Sequence, residues 1–351
     1  MGKPTVHDIA REAGVSLATV DRVLNGRAGV REATVRRVQE AVGRLGYVRD
    51  LSAANLARQR RYRFAFLLPD TPSQFLHGLH RAVDEAALAF SADRLEVETT
   101  HVAIGDPVAL QQAFRRIEAR GAEGVAIMAN ETPMMRDMIA RLKAKGVAVV
   151  AIITDQPQSE RDHFVGIDNL AAGRTAGVLM GRFSAAGPGK IIVVVNTMQA
   201  RDMVDRRMGF DEVLAERFPQ LVALPTVEGW DNHEIVARVT AQCLDSHQGV
   251  TGIYCAGAGL RGVTEVVRNR GLGERMVIVS HDLTPHSRAM LRTGVVDVVI
   301  NQNAGHIARS AMRVLKAHCD GVEVIASQER IRIEIVLKEN LPQDGEGEEK
   351  R

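Results

Sequence analysis

Leu17, Ala18, Asp21 and Arg22 lie together in the stretch SLATVDRVLN, and their side chains suit the edges of base pairs. A guanidinium can donate two bonds to a guanine, a carboxylate can accept from a cytosine amino group, and a small apolar side chain can touch a thymine methyl. A second set of polar groups follows a series of apolar runs: Asp70, Ser73, Gln74 and Phe75, then Asn130 and Glu131, Asp155, Asn196 and Arg201, His281 and Asp282, and Gln302. Amides, carboxylates, a guanidinium and an aromatic ring hold hydroxyl-rich small molecules well, because each hydroxyl both donates and accepts. A third pattern is GAGLRG, Gly257 to Gly262, with Asp282 beyond it. Its spacing is that of a dinucleotide fingerprint, whose glycines let backbone N–H groups approach a pyrophosphate.

Helical spacing decides which way the first set faces. Thr5 is a good N-cap, Val6, Ile9, Ala10 and Ala13 recur at helical intervals, and Gly14 supplies the turn that ends the helix. Ser16 caps a second helix whose buried stripe is Thr19, Val20, Val23 and Leu24, closed by Gly26. Two short helices meeting across a Gly-containing corner are a helix-turn-helix. Leu17, Ala18, Asp21 and Arg22 fall off the stripe near the second helix's N-terminus, where such a motif meets the major groove. A third helix, Glu32 to Leu45, carries Val35, Val38, Val42 and Leu45 on one face and completes a three-helix core. Ser52 then caps one or two helical turns ending near Arg58, in which Leu56 is the lone large apolar residue. The candidate DNA contacts on this motif are Thr5, Ser16, Leu17, Ala18, Thr19, Asp21, Arg22 and Asn25. Charge agrees: residues 1–63 hold thirteen Lys and Arg against six acids, a net of +7, whereas the whole chain is +2 and the remainder is −5. A basic balance confined to one end is the footprint that phosphates require.

From Arg63 the pattern changes. Apolar runs at Phe64–Leu68, Gly124–Met128, Val147–Ile153, Ile191–Val195, Ile253–Cys255 and Val277–Val279 read as buried parallel strands. Helical patterns alternate with them: Phe75–Phe90, Val108–Arg120, Met134–Lys145, Leu170–Phe183, Val204–Arg217, Ile235–Leu244 and Gly262–Arg270. The fold class is therefore α/β, with a three-helix N-terminal domain followed by doubly wound parallel sheets large enough for two lobes. Ligands of such sheets bind beyond the strands' carboxyl ends, where the second polar set falls. Its candidate effector contacts are Asp70, Gln74, Phe75, Asn130, Asp155, Arg201, Asp282 and Gln302. Arg201, Arg206 and Arg207 admit an acidic or phosphorylated sugar, but scattered Arg on a helix reads first as a solvated face.

Catalytic patterns fail. GAGLRG comes after four or five βα units, with too little chain behind it for a second mononucleotide half, and reads as a tight strand-to-helix turn. An NAD(P)-dependent enzyme using Gly257, Gly259, Gly262 and Asp282 is the alternative. GPGKII at Gly187 lacks P-loop spacing, no GxSxG or HExxH occurs, and His77 and His80 have no nearby acidic or Cys ligand. No cofactor, metal or enzyme activity is expected. Cys243, Cys255 and Cys319 are odd in number and widely spaced, so they read as reduced packing residues. No apolar run reaches the ~18 residues of a membrane span and no signal pattern opens the chain, so a cytoplasmic protein is expected.

TVHDIAREAGVSLATVDRVLN, followed by a segment ending in NLAR, resembles the signature of the LacI/GalR family of transcriptional regulators. The resemblance extends over the whole chain. It implies a ligand-controlled repressor that binds a palindromic, double-stranded operator as a homodimer. It also implies a hinge that orders on operator DNA, with Leu56 wedged into the minor groove and Asn55 and Arg58 as further DNA contacts. The sensor is expected to have the ribose-type periplasmic-binding-protein fold and to take a sugar, polyol or sugar acid between its lobes. Crossovers are placed near Val165–Asp168, Ile300–Asn303 and Ala326–Glu329. Phe75, Arg201, Asp282 and Gln302 match the ribose-type pattern. Departures are Asp21, where the family usually has Ser, and Ala256-Gly257, where Asn-Asp is frequent. The expected domains are 1–49, helix-turn-helix; 50–62, hinge; 63–340, effector binding and dimerisation; and 341–351, a disordered tail without the leucine heptads of a tetramer. Lobe 1 takes about 63–165 and 302–326, and lobe 2 about 168–300 and 329–340.

Overall fold

The structure is a computed structural model and describes residues 4–24, 26–47, 60–184 and 187–342. Asn25, Asn55, Leu56, Arg58 and nearly all of the expected hinge lie outside the described residues. The chain divides into two units, Met1–Arg60 and Arg61–Arg351.

The first unit holds helices α1 (Val6–Ala13), α2 (Leu17–Leu24) and α3 (Glu32–Leu45). Thr5 caps α1 through a capping box with Asp8, satisfying two donors that a helix start otherwise leaves bare. Gly14 ends α1 at φ 63°, a left-handed turn that a side chain would disfavour, and Ser16 Oγ accepts from Thr19 N at 3.2 Å to start α2. Ile9, Ala13, Val20, Val38 and Ala41 form the shared core.

The second unit contains two sheets. The first has strand order β2-β1-β3-β4-β5, all parallel: β1 (Tyr62–Asp70), β2 (Leu95–Ala103), β3 (Gly124–Ile127), β4 (Ala148–Ile152) and β5 (His163–Val165). The second has order β12-β11-β10-β9-β6-β7: β6 (Gly189–Val195), β7 (Leu221–Ala223), β9 (Val250–Cys255), β10 (Val277–His281), β11 (Val298–Asn301) and β12 (Glu334–Val336). The short β8 (Val227–Glu228) pairs with β6 off this path. Side-chain alternation splits each sheet's residues between two cores. Ala65 and Leu67 face one helix layer and Phe64, Phe66 and Leu68 the other; Ile192 and Val194 likewise oppose Ile191, Val193 and Val195. The helices of the first sheet are α4 (Gln74–Ala89), α5 (Pro107–Ala119) and α6 (Pro133–Ala144). Those of the second are α7 (Asn169–Phe183), α8 (Arg201–Arg217), α9 (His233–Ser246), α10 (Leu260–Asn269) and α11 (Pro285–Arg292).

The chain passes from the first sheet to the second between β5 and α7. It returns after β11 through α12 (Ala304–Asp320), which packs on β3 and β4, and leaves again to reach β12. Two features depart from the sequence reading. β12 runs antiparallel to β11, as an edge strand reached by a crossover. Leu341 and Pro342, assigned to the disordered tail, are held: Leu341 packs on the second sheet's core and the Pro342 carbonyl accepts from Arg288 Nη1 at 2.6 Å. No described helix is long and apolar enough to cross a membrane.

Candidate functional site

On the helix-turn-helix, packing and exposure separate cleanly. Val20 is fully buried, while Leu17, Ala18, Asp21 and Arg22 are exposed, Leu17 at 42%. An exposed leucine at the start of the second helix leaves an apolar side chain on the face that does not pack on the three-helix core. Asp21 lies 3.4 Å from Arg27, so its carboxylate is tied to a basic neighbour beyond the helix. Thr5 and Ser16 serve as helix caps, and Thr19 shares a hydrogen bond with Ser16.

In the second unit, the carboxyl ends of both sheets face one cleft. A cavity of about 360 Å³ is lined by Leu67–Pro69, Val102–Pro107 and Met128–Asn130 from the first lobe, and by Asn196, Gln199, Asp202 and Asp231 from the second. A smaller space of about 130 Å³ adjoins it at Asp231, bounded by Gln74, Phe75, Gly257–Arg261, His281 and Asp282. Gln74 Oε1 accepts from His286 N at 3.2 Å, a hydrogen bond that spans the lobes.

The cleft floor is built by a close helix crossing. A Cβ on Gly173 would come within 2.0 Å of the Arg206 carbonyl, and one on Gly209 within 2.2 Å of the Leu170 carbonyl, so α7 and α8 touch backbone to backbone. That approach brings Asn169 to Arg206. Arg206 is 1% exposed; its Nε donates to Asn169 Oδ1 at 2.9 Å and its Nη1 to the Ala256 carbonyl at 2.6 Å. Its Nη2 has no hydrogen-bond partner among the described residues. Beside it, Tyr254 stacks on Phe210 with ring centroids 4.5 Å apart and shares a 2.9 Å hydrogen bond with His281 Nε2. Burial, reinforced by Arg206, holds His281 well below its usual pKa, so the imidazole is neutral.

Two carboxylates, Asp202 and Asp282, feel this guanidinium, and a third, Asp231, lies close enough to Asp202 to feel its charge. Burial pushes Asp202 upward against the pull of Arg206. Burial pushes Asp231 up to about 6, with the negative Asp202 adding to the rise. Burial likewise pushes Asp282 up to about 6 despite Arg206 and a 3.1 Å hydrogen bond from Gln302 Nε2. Asp231 and Asp282 adopt left-handed backbone, φ 57° and 67°, as does Ile153 at φ 65° just before Thr154. For a β-branched residue this is a strained conformation, and such strain concentrates at ligand sites.

The sequence-derived set is thus divided. Asn130 lines the main cavity; Gln74, Phe75 and Asp282 line the adjoining one; Gln302 is buried against Asp282. Asp70 is exposed at the end of β1. Asp155 forms a two-pronged pair with Arg161, and Arg201 is exposed and paired with Asp205 at 2.9 Å; neither lines these cavities. Arg206, read as part of a solvated face, is instead the buried cation. Its position between Met203 and Phe210 on the apolar stripe of α8 was the available signal. Asp202 and Asp231 were also missed, because one sits inside a helix and the other follows a two-residue strand.

The GAGLRG glycines are taken up by packing. A Cβ on Gly262 would lie 2.2 Å from the His233 carbonyl, one on Gly259 2.6 Å from Val236, and one on Gly257 3.0 Å from Met203 Sδ. The space before them is well below the ~300–1,000 Å³ of typical ligand clefts.

Residues 64–323 match the periplasmic binding protein domain, and residues 5–50 match the bacterial regulatory proteins, lacI family. This chain belongs to the LacI family. Catabolite control protein A of Staphylococcus aureus strain MRSA252 is 23% identical over 218 residues, 62% of this chain and 63% of that protein. The HTH-type transcriptional regulator pepR1 of Lactobacillus delbrueckii subsp. lactis is 38% identical over 86 residues, 24% of this chain and 26% of that protein. The matches therefore span less than two thirds of these relatives' own lengths. GanP, a glucose-galactose binding protein from Geobacillus stearothermophilus, superposes with a TM-score of 0.73 at 18% identity, covering 81% of this chain and 100% of that one. A solute binding protein from Burkholderia graminis in complex with D-arabinose gives 0.72 at 20% identity over 80% and 96%. At these identities the LacI-family chain shares their fold.

Proposed function

We propose that this LacI-family protein is a cytoplasmic, sequence-specific transcriptional regulator, a repressor that binds a palindromic operator as a homodimer and responds to a small sugar-like effector between its lobes. The observation that carries the proposal is the pairing of two surfaces on one chain. One is a recognition helix with Leu17, Ala18, Asp21 and Arg22 exposed; the other is a cleft at the carboxyl ends of two sheets, lined from both lobes. Relatives that carry regulator names support the first half, and the sugar-bound structural neighbour supports the second.

The mechanism is a population shift. Ligand that touches both lobes favours one relative rotation, and only a difference in affinity between the two states can alter the population that engages DNA. The hinge at 50–62, with Asn55, Leu56 and Arg58, is the segment proposed to convey that change. A two-fold dimer matches the symmetry of a palindromic site.

Selection of duplexes from a randomised library, followed by fluorescence anisotropy with the full chain, tests the DNA half. A palindromic consensus with steeply salt-dependent affinity is expected. Equal affinity for all duplexes would refute sequence-specific regulation. Titration of the complex with sugars and polyols tests the effector half, through release or tightening of the enriched duplex.

A further inference from the structure

The ionisable residues lining the main cavity are Asp106, Asp202 and Asp231, and none of the described lining residues is Lys, Arg or His. Asp106 is occupied as the N-cap of α5, where its Oδ1 accepts from Val108 N and Ala109 N. Asp202, which also accepts from backbone N–H groups at the start of α8, and Asp231 remain as the other two carboxylates, and the negative Asp202 raises the cost of ionising Asp231. Arg206, the nearby cation, stands behind them with Nε and Nη1 bonded to Asn169 and Ala256, and does not line the cavity. Asp231 Oδ1 has no hydrogen-bond partner among the described residues. Thr154, 3% exposed, lines the same cavity beside Asp202, and its hydroxyl oxygen keeps acceptor capacity toward the cavity.

The opposite wall is aliphatic. Leu67, Leu68, Val102, Ile104, Met128 and Met134 contribute to it, and no aromatic ring lines the cavity among the described residues. A neutral sugar ring lacks here the flat platform it stacks on, and an apolar wall strengthens the field of unbalanced carboxylates. Asn130, Asn196 and Gln199 still offer amide groups for hydroxyls.

We propose that the effector carries a protonated amine, seated between Asp202 and Asp231, on a small hydroxylated skeleton: an amino sugar or amino polyol. The ammonium supplies the countercharge that the cavity lacks, and its three donors match the two carboxylates and the Thr154 hydroxyl. The assignment rests on the reading of this cleft as the effector site.

Isothermal titration of the full-length protein at pH 7 with paired probes tests it: D-glucosamine with D-glucose, D-galactosamine with D-galactose, and 1-amino-1-deoxy-D-sorbitol with D-sorbitol. At least one amine is expected to bind roughly tenfold or more tightly than its neutral partner. Asp231→Asn should remove that preference, so that the amine binds no more tightly than its neutral partner does to the same variant. Asp202→Asn tests the same point through the other carboxylate, and thermal melts show that each variant is folded. Neutral partners binding as well as amines would overturn the amine assignment and leave the sugar-sensor reading standing. No binding by any member would overturn both. Retention of the amine preference in both variants would overturn the seat between the two carboxylates.

Discussion

Asp282→Asn isolates the electrostatic state of the cleft. Asp282 is buried, accepts one hydrogen bond from Gln302 Nε2, and sits at φ 67°. Asparagine presents the same Oδ1 acceptor and tolerates left-handed backbone at least as well, so the substitution removes little except the charge. Burial raises the carboxyl from 3.8 to about 6, after the favourable pull of Arg206 is included. A carboxyl whose pKa rises on folding binds its proton more tightly in the native state. Stability therefore falls as pH climbs from about 4 to about 6, and the penalty is complete above that window. Roughly two units at about 1.36 kcal/mol each put it on the order of 3 kcal/mol. The variant should match the parent near pH 4 and exceed it by that order near pH 8, a rise in Tm of roughly 5–10 °C. Paired thermal and urea melts across pH 4–8 measure the difference directly. An Asp282→Asn protein that is less stable than the parent at pH 8, or whose advantage is the same at every pH, would refute the reasoning.

Other consequences follow from the same geometry. Gly173→Ala forces a methyl to within 2.0 Å of the Arg206 carbonyl and should cost about 1–3 kcal/mol or more, seen as a lowered Tm. Arg206→Met removes the cation that faces Asp202 and Asp282, and should destabilise by about 3–5 kcal/mol at pH 8 but less at pH 5, below the raised pKa of Asp282; denaturant melts at the two pH values decide it. Arg22→Ala should cost about 1–3 kcal/mol on the selected duplex and relax preference at one base position, whereas a uniform loss over all duplexes would reduce Arg22 to a phosphate contact.

Much of the fold is legible because local rules and tertiary packing agree. Glu32–Leu45 is a helix with the bounds its apolar spacing predicts, and the apolar runs at Phe64–Leu68 and Ile191–Val195 lie within β1 and β6. β2 was not legible: Leu95–Ala103 carries Glu96, Glu98, Thr99 and Thr100 because it is an edge strand, half open to solvent.

The sequence by itself determined the helix-turn-helix, its caps at Thr5 and Ser16, the localised basic charge, and the repetition of strand and helix that makes two lobes. All of these depend on residues close in the chain. Only the tertiary structure decided the cleft chemistry. Arg206 and Arg201 lie on one helix and look alike in sequence. The glycine-mediated approach of α7 and α8 buries Arg206 among Asp202, Asp282 and His281, while Arg201 remains at the surface with Asp205. Whether a charged side chain meets water or another buried charge depends on which distant segments fold against it, and local spacing carries no record of that.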